Sequence, residues 1–272
     1  MKKVLIIGAN SYIGNSFQKY IGENYNDQYE VHKVSLRGEA WKEDDWSGYD
    51  SILNVTGKAH ADIGILTEEQ KQEYYAVNCD LACEAAQKAV KDGVGQYIYL
   101  SSVIVYGDSS NGGGAVHITK DTKPAPSNFY GDSKWQAEQK LQVLFEELKE
   151  DDGKNNTALA IVRPPMIYGK NSKGNFKMLV KLADKVPVFP NVKNERSMLY
   201  VENLAEFLYL LIESQKSGVF LPQNASYVTT AQMVAAIAAA KKRKVHLCSW
   251  MNPFVALAKK MPWKIGGMAG KA

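Results

Sequence analysis

The chain has 272 residues, 45% of them hydrophobic and 23% charged, which is the composition of an ordinary soluble globular protein. Its net charge of +4 is too small and too scattered to indicate a nucleic-acid partner. No apolar stretch has the length of a membrane-spanning helix, so we expect no membrane insertion. The three cysteines lack a second pair at ligand spacing, which predicts reduced thiols in the cytoplasm and no metal site.

A strand followed by a glycine turn opens the chain. Residues 3–7 form an apolar run typical of a buried parallel strand, and a helical pattern follows the turn. This layout presents backbone N–H groups and a helix N-terminus to a pyrophosphate, which favours dinucleotide binding over a turn that needs glycine for geometry alone. The residues expected to line this turn are Gly8, Asn10, Ser11, Tyr12, Ile13 and Gly14.

The second predicted strand, residues 31–34, ends without a carboxylate. Chains that bind NAD usually place an acidic residue there to bind the ribose 2′-hydroxyl, whereas this chain has Ser35 and Arg37. Arg37 could instead meet a 2′-phosphate, so the strand end leans towards NADP. Glu39 lies close by in the sequence and weakens that preference.

The strand predicted over residues 50–55 leads into small residues, which would let a flat ligand lie across the sheet edge. His60 in the following loop is either a functional group or an incidental polar histidine. Asn78 falls inside a helical pattern over residues 68–91, where a poor helix former is either exposed or has a specific role. The residues expected to border the cofactor here are Val55, Thr56, Gly57, Lys58 and Asn78.

Tyr130 and Lys134 lie four residues apart in a helical pattern over residues 130–149, and so project from one face. An ammonium beside a phenol favours the phenolate, so Lys134 should lower the pKa of Tyr130 and make it a general acid/base. The alternative is a surface helix on which the two side chains are simple neighbours. Ser101 and Ser102 follow a predicted strand at residues 97–100, at the strand end where α/β proteins bind ligands.

The alternation of strands and helices predicts a doubly wound parallel α/β sheet over residues 1–165. Residues 166–272 change to loops and helices and should form a smaller, mostly helical lobe. Its aromatic stretch Trp250–Met261 could touch a membrane surface, although packing on the lobe or on another subunit is favoured. The glycine-rich end, Gly266–Ala272, indicates a chain cut short of its natural C-terminus.

Together these motifs resemble the NAD-dependent epimerase/dehydratase branch of the extended short-chain dehydrogenase/reductase superfamily. The resemblance covers nearly the whole chain and is specific only as a set. Besides the glycine turn, the segments that carry it are Val77–Asn78, Leu100–Gly107, Pro126–Glu138, Arg163–Gly169 and Arg196–Leu204.

The resemblance implies a Rossmann-type domain at residues 1–165 that binds NAD or NADP, and a substrate-binding lobe at residues 166–272. It implies Ser102, Tyr130 and Lys134 as the catalytic set, with Arg163 also bordering the cofactor. It implies a nucleotide-sugar substrate, UDP-linked for preference, and leaves a homodimer open. The substrate-binding residues it implies are His60, Ser102, Val103, Met166, Asn175, Phe176 and Arg196.

Val103 and Ile104 stand where the family's 4,6-dehydratases carry Asp and Glu, which argues against water elimination. The resemblance is strongest to bacterial enzymes that make surface-polysaccharide precursors. We therefore expect a UDP-glucose or UDP-N-acetylhexosamine 4-epimerase with bound NAD, in which Tyr130 takes the proton of the C4 hydroxyl. An NADP-dependent 4-keto-sugar reductase and a non-catalytic dinucleotide-binding regulator remain as alternatives.

Overall fold

The computed structural model describes residues 1–59, 67–107, 117–152, 156–172 and 174–259. His60 therefore lies outside the described residues. The chain divides into two compact units, each built from three separate segments. The first unit comprises Met1–Gly107, Lys123–Pro165 and Leu199–Pro222, and the second comprises Asp108–Thr122, Met166–Met198 and Gln223–Ala272.

The strands, in chain order, are β1 (Lys2–Ile7), β2 (Tyr29–Val34), β3 (Ser51–Asn54), β4 (Gln96–Leu100), β5 (Ala158–Val162), β6 (Met166–Tyr168), β7 (Val188–Pro190), β8 (Glu195–Arg196), β9 (Met198–Tyr200), β10 (Gly218–Phe220), β11 (Val228–Thr229) and β12 (His246–Cys248). The helices are α1 (Tyr12–Asn24), α2 (Glu68–Tyr75), α3 (Leu81–Lys91), α4 (Phe129–Asp152), α5 (Asn175–Lys185), α6 (Val201–Ser214), α7 (Thr230–Ala240) and α8 (Asn252–Lys259). A π-helical turn, Ala76–Asp80, joins α2 to α3.

The first unit is built on a six-stranded sheet in the order β10-β5-β4-β3-β1-β2. Every neighbouring pair in this sheet is parallel. The predicted doubly wound α/β fold is therefore confirmed. The strand order reverses beside β1, whose neighbours are β2 on one side and β3 on the other. A crevice opens beyond the carboxyl ends of the strands at such a reversal, and ligands of α/β proteins bind there.

The sheet is buried on both faces, as expected for parallel strands covered by crossover helices. The side chains of Ile6, Ile7, Ile52 and Leu53 are fully buried. One layer of the core joins β3 and β4 to α3 and α4, and includes the fully buried Leu141 of α4. This packing fixes α4 against the sheet and so determines where the side chains at its beginning lie.

The second unit combines helices with short strands. Helices α5 and α7 pack around a core that includes Leu179, Ala183, Phe189 and Val234. Strand β12 pairs with β7 in parallel, and β11 pairs with β8 in antiparallel orientation. A capping box starts α7, in which the Thr229 hydroxyl accepts from the Gln232 nitrogen.

Within the described part of the chain, no helix combines the length and the apolar character needed to span a bilayer. The three cysteines are free thiols. No group of three or more His, Cys, Asp and Glu side chains in the described ranges is arranged to hold a metal ion.

Leu141 offers a direct test of the core. Leu141→Ala should lower the free energy of unfolding by about 2–5 kcal/mol, because it removes buried methyl groups and leaves a cavity. Val143→Ala, two residues along the same helix at a side chain that is 51% exposed, is the matched control and should change little. Urea unfolding followed by circular dichroism measures both. Equal effects of the two substitutions would contradict this account of the core.

Candidate active site

The turn between β1 and α1 requires glycine at Gly8. Its φ is +108°, and a methyl group added there would lie 3.2 Å from the Thr56 backbone nitrogen. Ser11 starts α1, because its hydroxyl accepts a bond from the Gly14 nitrogen at 3.4 Å. A methyl group at Gly14 would approach Ile6 to 2.8 Å. The turn is thus pressed against the sheet, with the N-terminus of α1 facing the same edge.

The other residues predicted to line this turn differ in how deeply their side chains are buried. Asn10 is exposed, and Ile13 is half-buried. The hydroxyl of Tyr12 is buried and finds no hydrogen-bond partner among the described residues. Burial raises the pKa of Tyr12, with smaller contributions from Tyr200 and Glu202, so this phenol lies near the start of α6.

The end of β2 carries the residues predicted to choose between NAD and NADP. Ser35 and Arg37 are both exposed there, and the backbone nitrogen of Arg37 donates to the Ser35 hydroxyl at 3.3 Å. The carboxylate of Glu39 turns to Lys42, at 2.6 Å. Glu39 is thus paired with Lys42, whereas Arg37 beside Ser35 is exposed and has no acidic partner among the ion pairs of the described residues.

The segment just after β3 lies next to the side chains of Lys134 and Asn78. The Thr56 nitrogen donates to the Asn54 side chain at 2.9 Å, which fixes the backbone just beyond the strand. The Thr56 hydroxyl is buried without a hydrogen-bond partner in the described ranges. A methyl group at Gly57 would lie 3.1 Å from Lys134 Nζ and 3.3 Å from Asn78 Oδ1. Gly57 therefore allows both side chains to reach this edge.

Asn78 is fully buried within the π-helical turn and has a specific role. Its Oδ1 accepts from the Lys58 nitrogen at 2.8 Å, and its Nδ2 donates to the Ser133 hydroxyl at 3.0 Å. Its backbone carbonyl accepts from the Tyr99 hydroxyl at 2.7 Å. One amide side chain thus ties the segment after β3 to α4, which resolves the two alternatives left open by the sequence.

Lys134 is only 3% exposed and is surrounded by acceptors. Its ammonium donates to the Leu100 carbonyl at 2.9 Å and to the Thr56 carbonyl at 3.5 Å. It also lies 4.6 Å from the centre of the Tyr99 ring. Burial lowers the pKa of Lys134 to about 7, and the nearby Glu138 carboxylate opposes this effect.

Tyr130 lies beside Ser102, and its ionisation differs from the prediction. Burial raises the pKa of Tyr130 to about 12, and a hydrogen bond with Ser102 counteracts only part of that rise. The expected lowering by Lys134 is therefore wrong for this structure. The physical reason is that the Lys134 ammonium points at backbone carbonyls, while the phenol is desolvated.

Arg163, predicted to border the cofactor, forms a buried ion pair with Glu138 through its guanidinium. Its Nε donates to both carboxylate oxygens of Glu138, at 3.1 and 3.0 Å, and a second nitrogen contacts the same carboxylate. It also donates to the Tyr106 hydroxyl. Glu138 in turn accepts from the Ser101 hydroxyl. This cluster lies behind the Ser102–Tyr130–Lys134 group.

The predicted substrate residues fall in both units. In the first, Ser102 caps a short 3-10 turn by accepting from the Ile104 nitrogen at 3.2 Å, and Val103 is half-buried. In the second, Met166 and Phe176 pack against the core of α5 and α7, and Arg196 lies in β8. Asn175 begins α5.

Tyr99 and Glu138 are site neighbours to which the sequence assigned no role of their own, and the pairing of Glu138 with Arg163 was not predicted. The two tyrosines of the buried strand β4 were the available signal, because a buried phenol needs a hydrogen-bond partner. For Glu138, the signal was an acid four residues after Lys134 on the same helix face.

The geometry at this edge fits a dinucleotide. A tight glycine turn presents the N-terminus of α1, an orphaned Thr56 hydroxyl offers a polar contact, and small Gly57 leaves space beside Lys134. A profile of the NAD dependent epimerase/dehydratase family matches residues 4–221. The chain belongs to this family. Membership confirms the resemblance stated above, an enzymatic role and dependence on a nicotinamide dinucleotide, and it disfavours the non-catalytic regulator.

Two relatives indicate how far this similarity extends. The chain is 30% identical over 197 residues to a UDP-glucose 4-epimerase of Vibrio cholerae, an alignment covering 70% of this chain and 56% of the relative. It is 26% identical over 229 residues to an N-acetyl-alpha-D-glucosaminyl-diphospho-ditrans,octacis-undecaprenol 4-epimerase of Escherichia coli O157:H7, covering 79% of this chain and 64% of the relative. The chain thus spans less than two thirds of the length of either relative.

The fold is also similar to that of a dTDP-4-dehydrorhamnose reductase from Bacillus anthracis in complex with NADP, with a TM-score of 0.68. The identity is 22%, and the match covers 93% of this chain and 86% of that one. At this identity the likeness supports the fold alone.

The buried Lys134 predicts a pH-dependent stability. The unfolded lysine has a pKa near 10.5 and the folded one about 7, so between these values the unfolded chain binds more protons. The free energy of unfolding of the wild type should therefore rise with pH relative to Lys134→Met, by roughly 2 kcal/mol from pH 7 to 9. Urea titrations at both pH values measure the difference.

Lys140→Met, at an exposed lysine of the same helix that pairs with Asp80 at 3.0 Å, is the control. Its stability difference from the wild type should not change over this range. If Lys134→Met behaves like Lys140→Met, the ammonium is not desolvated as described.

Proposed function

We propose that this protein is a nucleotide-sugar 4-epimerase that uses NAD and a UDP-linked hexose or N-acetylhexosamine. The observation that carries the proposal is the contact of Ser102 with Tyr130 beside the buried Lys134, at the carboxyl edge of β3 and β4. The names of the two relatives support 4-epimerisation of a sugar joined to a diphosphate. We further propose a place in the synthesis of bacterial surface-polysaccharide precursors, in the cytoplasm, where the free thiols stay reduced.

Tyr130 is the proposed proton carrier. Its hydroxyl exchanges a proton with the sugar C4 oxygen, while Ser102 bonds that oxygen and fixes its position. Nicotinamide, when bound, supplies the chemistry of hydride removal and return at C4. Lys134, one helical turn from Tyr130, is held at the same edge by the Leu100 and Thr56 carbonyls, and its proposed part is to position the nicotinamide ribose.

Residues proposed to hold the cofactor surround the same edge. The α1 N-terminus would bind the pyrophosphate through backbone N–H groups, and Asn78 keeps Lys58 and its neighbours in place. In the second unit, we propose that Met166, Asn175, Phe176 and Arg196 contact the substrate, with Arg196 suited to a diphosphate. His60 and Val103 remain proposed substrate neighbours.

A second candidate is an NADP-dependent 4-keto-sugar reductase. Arg37 is exposed beside Ser35, and Glu39 is paired with Lys42. This arrangement favours binding of the ribose 2′-phosphate of NADP. The raised pKa of Tyr130 also suits this direction, because a neutral phenol can donate its proton to a 4-keto oxygen.

Tyr130→Phe tests the proton carrier. Conversion of UDP-glucose or UDP-N-acetylglucosamine to its C4 epimer, followed by NMR, should slow by about 10²–10⁴-fold because the variant has no exchangeable proton. Tyr75→Phe is the control, since the Tyr75 hydroxyl bonds Asp132 at 2.8 Å and has no proposed part in the reaction. A Tyr130→Phe rate within about tenfold of wild type would refute the role.

Arg37→Ala tests cofactor choice. If Arg37 meets a 2′-phosphate, the variant should bind NADPH about tenfold or more weakly, with NADH binding unchanged, because one charge-assisted contact is lost. Lys33→Ala, on the preceding strand with its ammonium on Asn15, is the control. Unchanged NADPH affinity, together with NAD found in the purified protein by mass spectrometry, would favour the epimerase over the reductase.

A further inference from the structure

Charge is divided very unequally between the two units. The second unit contains 16 Lys and Arg residues against four Asp and Glu, a net charge of +12. The first unit contains 17 basic and 25 acidic residues, a net charge of −8. Residues 223–272 include eight basic residues and no acidic one. The net charge of +4 for the whole chain is therefore the sum of an acidic first unit and a strongly basic second unit.

The basic side chains of this unit include an exposed row. Lys177, Lys181 and Lys185 recur every four residues along α5, so they share one face of that helix. None of the three pairs with an acidic side chain in the described ranges. Asp184, the acid on this helix, is taken by Lys241 at 2.7 Å. The row therefore presents positive charge to solvent.

An apolar face accompanies this charge in the same unit. Trp250 is 68% exposed, Phe254 65% and Leu257 59%, at positions i, i+4 and i+7. The rings of Trp250 and Phe254 meet edge to face at 6.3 Å. The face is held in position because the Asn252 side chain, at the start of α8, donates to the Asn191 carbonyl at 2.9 Å. The sequence favoured packing of this stretch on the lobe or on another subunit, and on the lobe the three side chains are exposed among the described residues.

We propose that the second unit docks peripherally on an anionic lipid bilayer through the apolar face Trp250, Phe254 and Leu257 and the lysine row Lys177, Lys181 and Lys185. Exposed aromatic and leucine side chains enter the boundary between headgroups and acyl chains, and lysines are attracted to anionic headgroups. Reversible attachment needs two such signals, because one alone binds weakly.

A bilayer suits these features better than a nucleic acid does. A phosphate backbone would engage the lysines but leave the apolar face in water. A bilayer engages both, since its surface offers negative charge over an apolar interior. The docking is an association in the plane of the interface, and it does not depend on the reaction proposed above.

Vesicle sedimentation with the purified full chain tests this docking. Vesicles of phosphatidylcholine with about 30 mol% phosphatidylglycerol should bind the wild type and release it as the salt concentration rises from about 0.05 to 0.3 M. Salt has this effect because it screens the attraction between the lysines and the anionic headgroups. Vesicles of phosphatidylcholine alone should bind it about tenfold less.

Two variants separate the two signals. Trp250→Ser/Phe254→Ser/Leu257→Ser and Lys177→Gln/Lys181→Gln/Lys185→Gln should each reduce binding to the anionic vesicles by about tenfold or more. The controls are Leu210→Ser, 54% exposed on α6 of the first unit, and Lys3→Gln/Lys19→Gln/Lys71→Gln in that unit. Both controls should bind like the wild type. Thermal unfolding of each variant establishes that it is folded.

Three results would overturn the proposal. The first is wild-type binding that does not distinguish anionic from neutral vesicles. The second is unchanged binding of the apolar-face variant, with double-stranded DNA competing equally against vesicles, which would show a general polyanion surface. The third is a self-associated wild type that becomes monomeric in the apolar-face variant on sedimentation velocity, which would make the face a subunit contact.

Discussion

The burial of the Lys134 ammonium is the constraint on which the first unit's site depends. A charge removed from water is costly unless acceptors replace the lost solvent. The carbonyls of Leu100 and Thr56 and the ring of Tyr99 do this here. Each belongs to a strand end of the central sheet or to the residues just beyond it, so the lysine can be satisfied only when β3, β4 and α4 are all in place.

Several sequence features follow from this requirement. A side chain at Gly57 would crowd the ammonium and the Asn78 amide, so glycine leaves both of them room. The π-helical turn sets Asn78 inward, where its amide joins Lys58 to Ser133. Behind Lys134, the Glu138 carboxylate partly restores the pKa that burial lowers, and Arg163 neutralises that carboxylate in turn. A buried pair of this kind adds little net stability but is costly to break, so it fixes geometry.

The division of charge gives the two units different ways of handling anions. The first unit is net acidic, so its proposed dinucleotide site relies on backbone N–H groups and a helix N-terminus rather than on a cluster of cations. The second unit is strongly basic and carries the exposed apolar face formed by Trp250, Phe254 and Leu257.

The sequence by itself determined the alternation of strands and helices, the glycine turn at Gly8 and the spacing of Tyr130 and Lys134, because these are local patterns of hydrophobicity and backbone freedom. Only the tertiary structure decided where each charge points. Helical spacing placed Lys134 near Tyr130 but could not show that its ammonium binds one carbonyl at the end of β4 and one just beyond β3, so the predicted lowering of the Tyr130 pKa was wrong. Likewise, the pairing of Arg163 with Glu138 joins residues far apart in the chain, and such proximity exists only after folding.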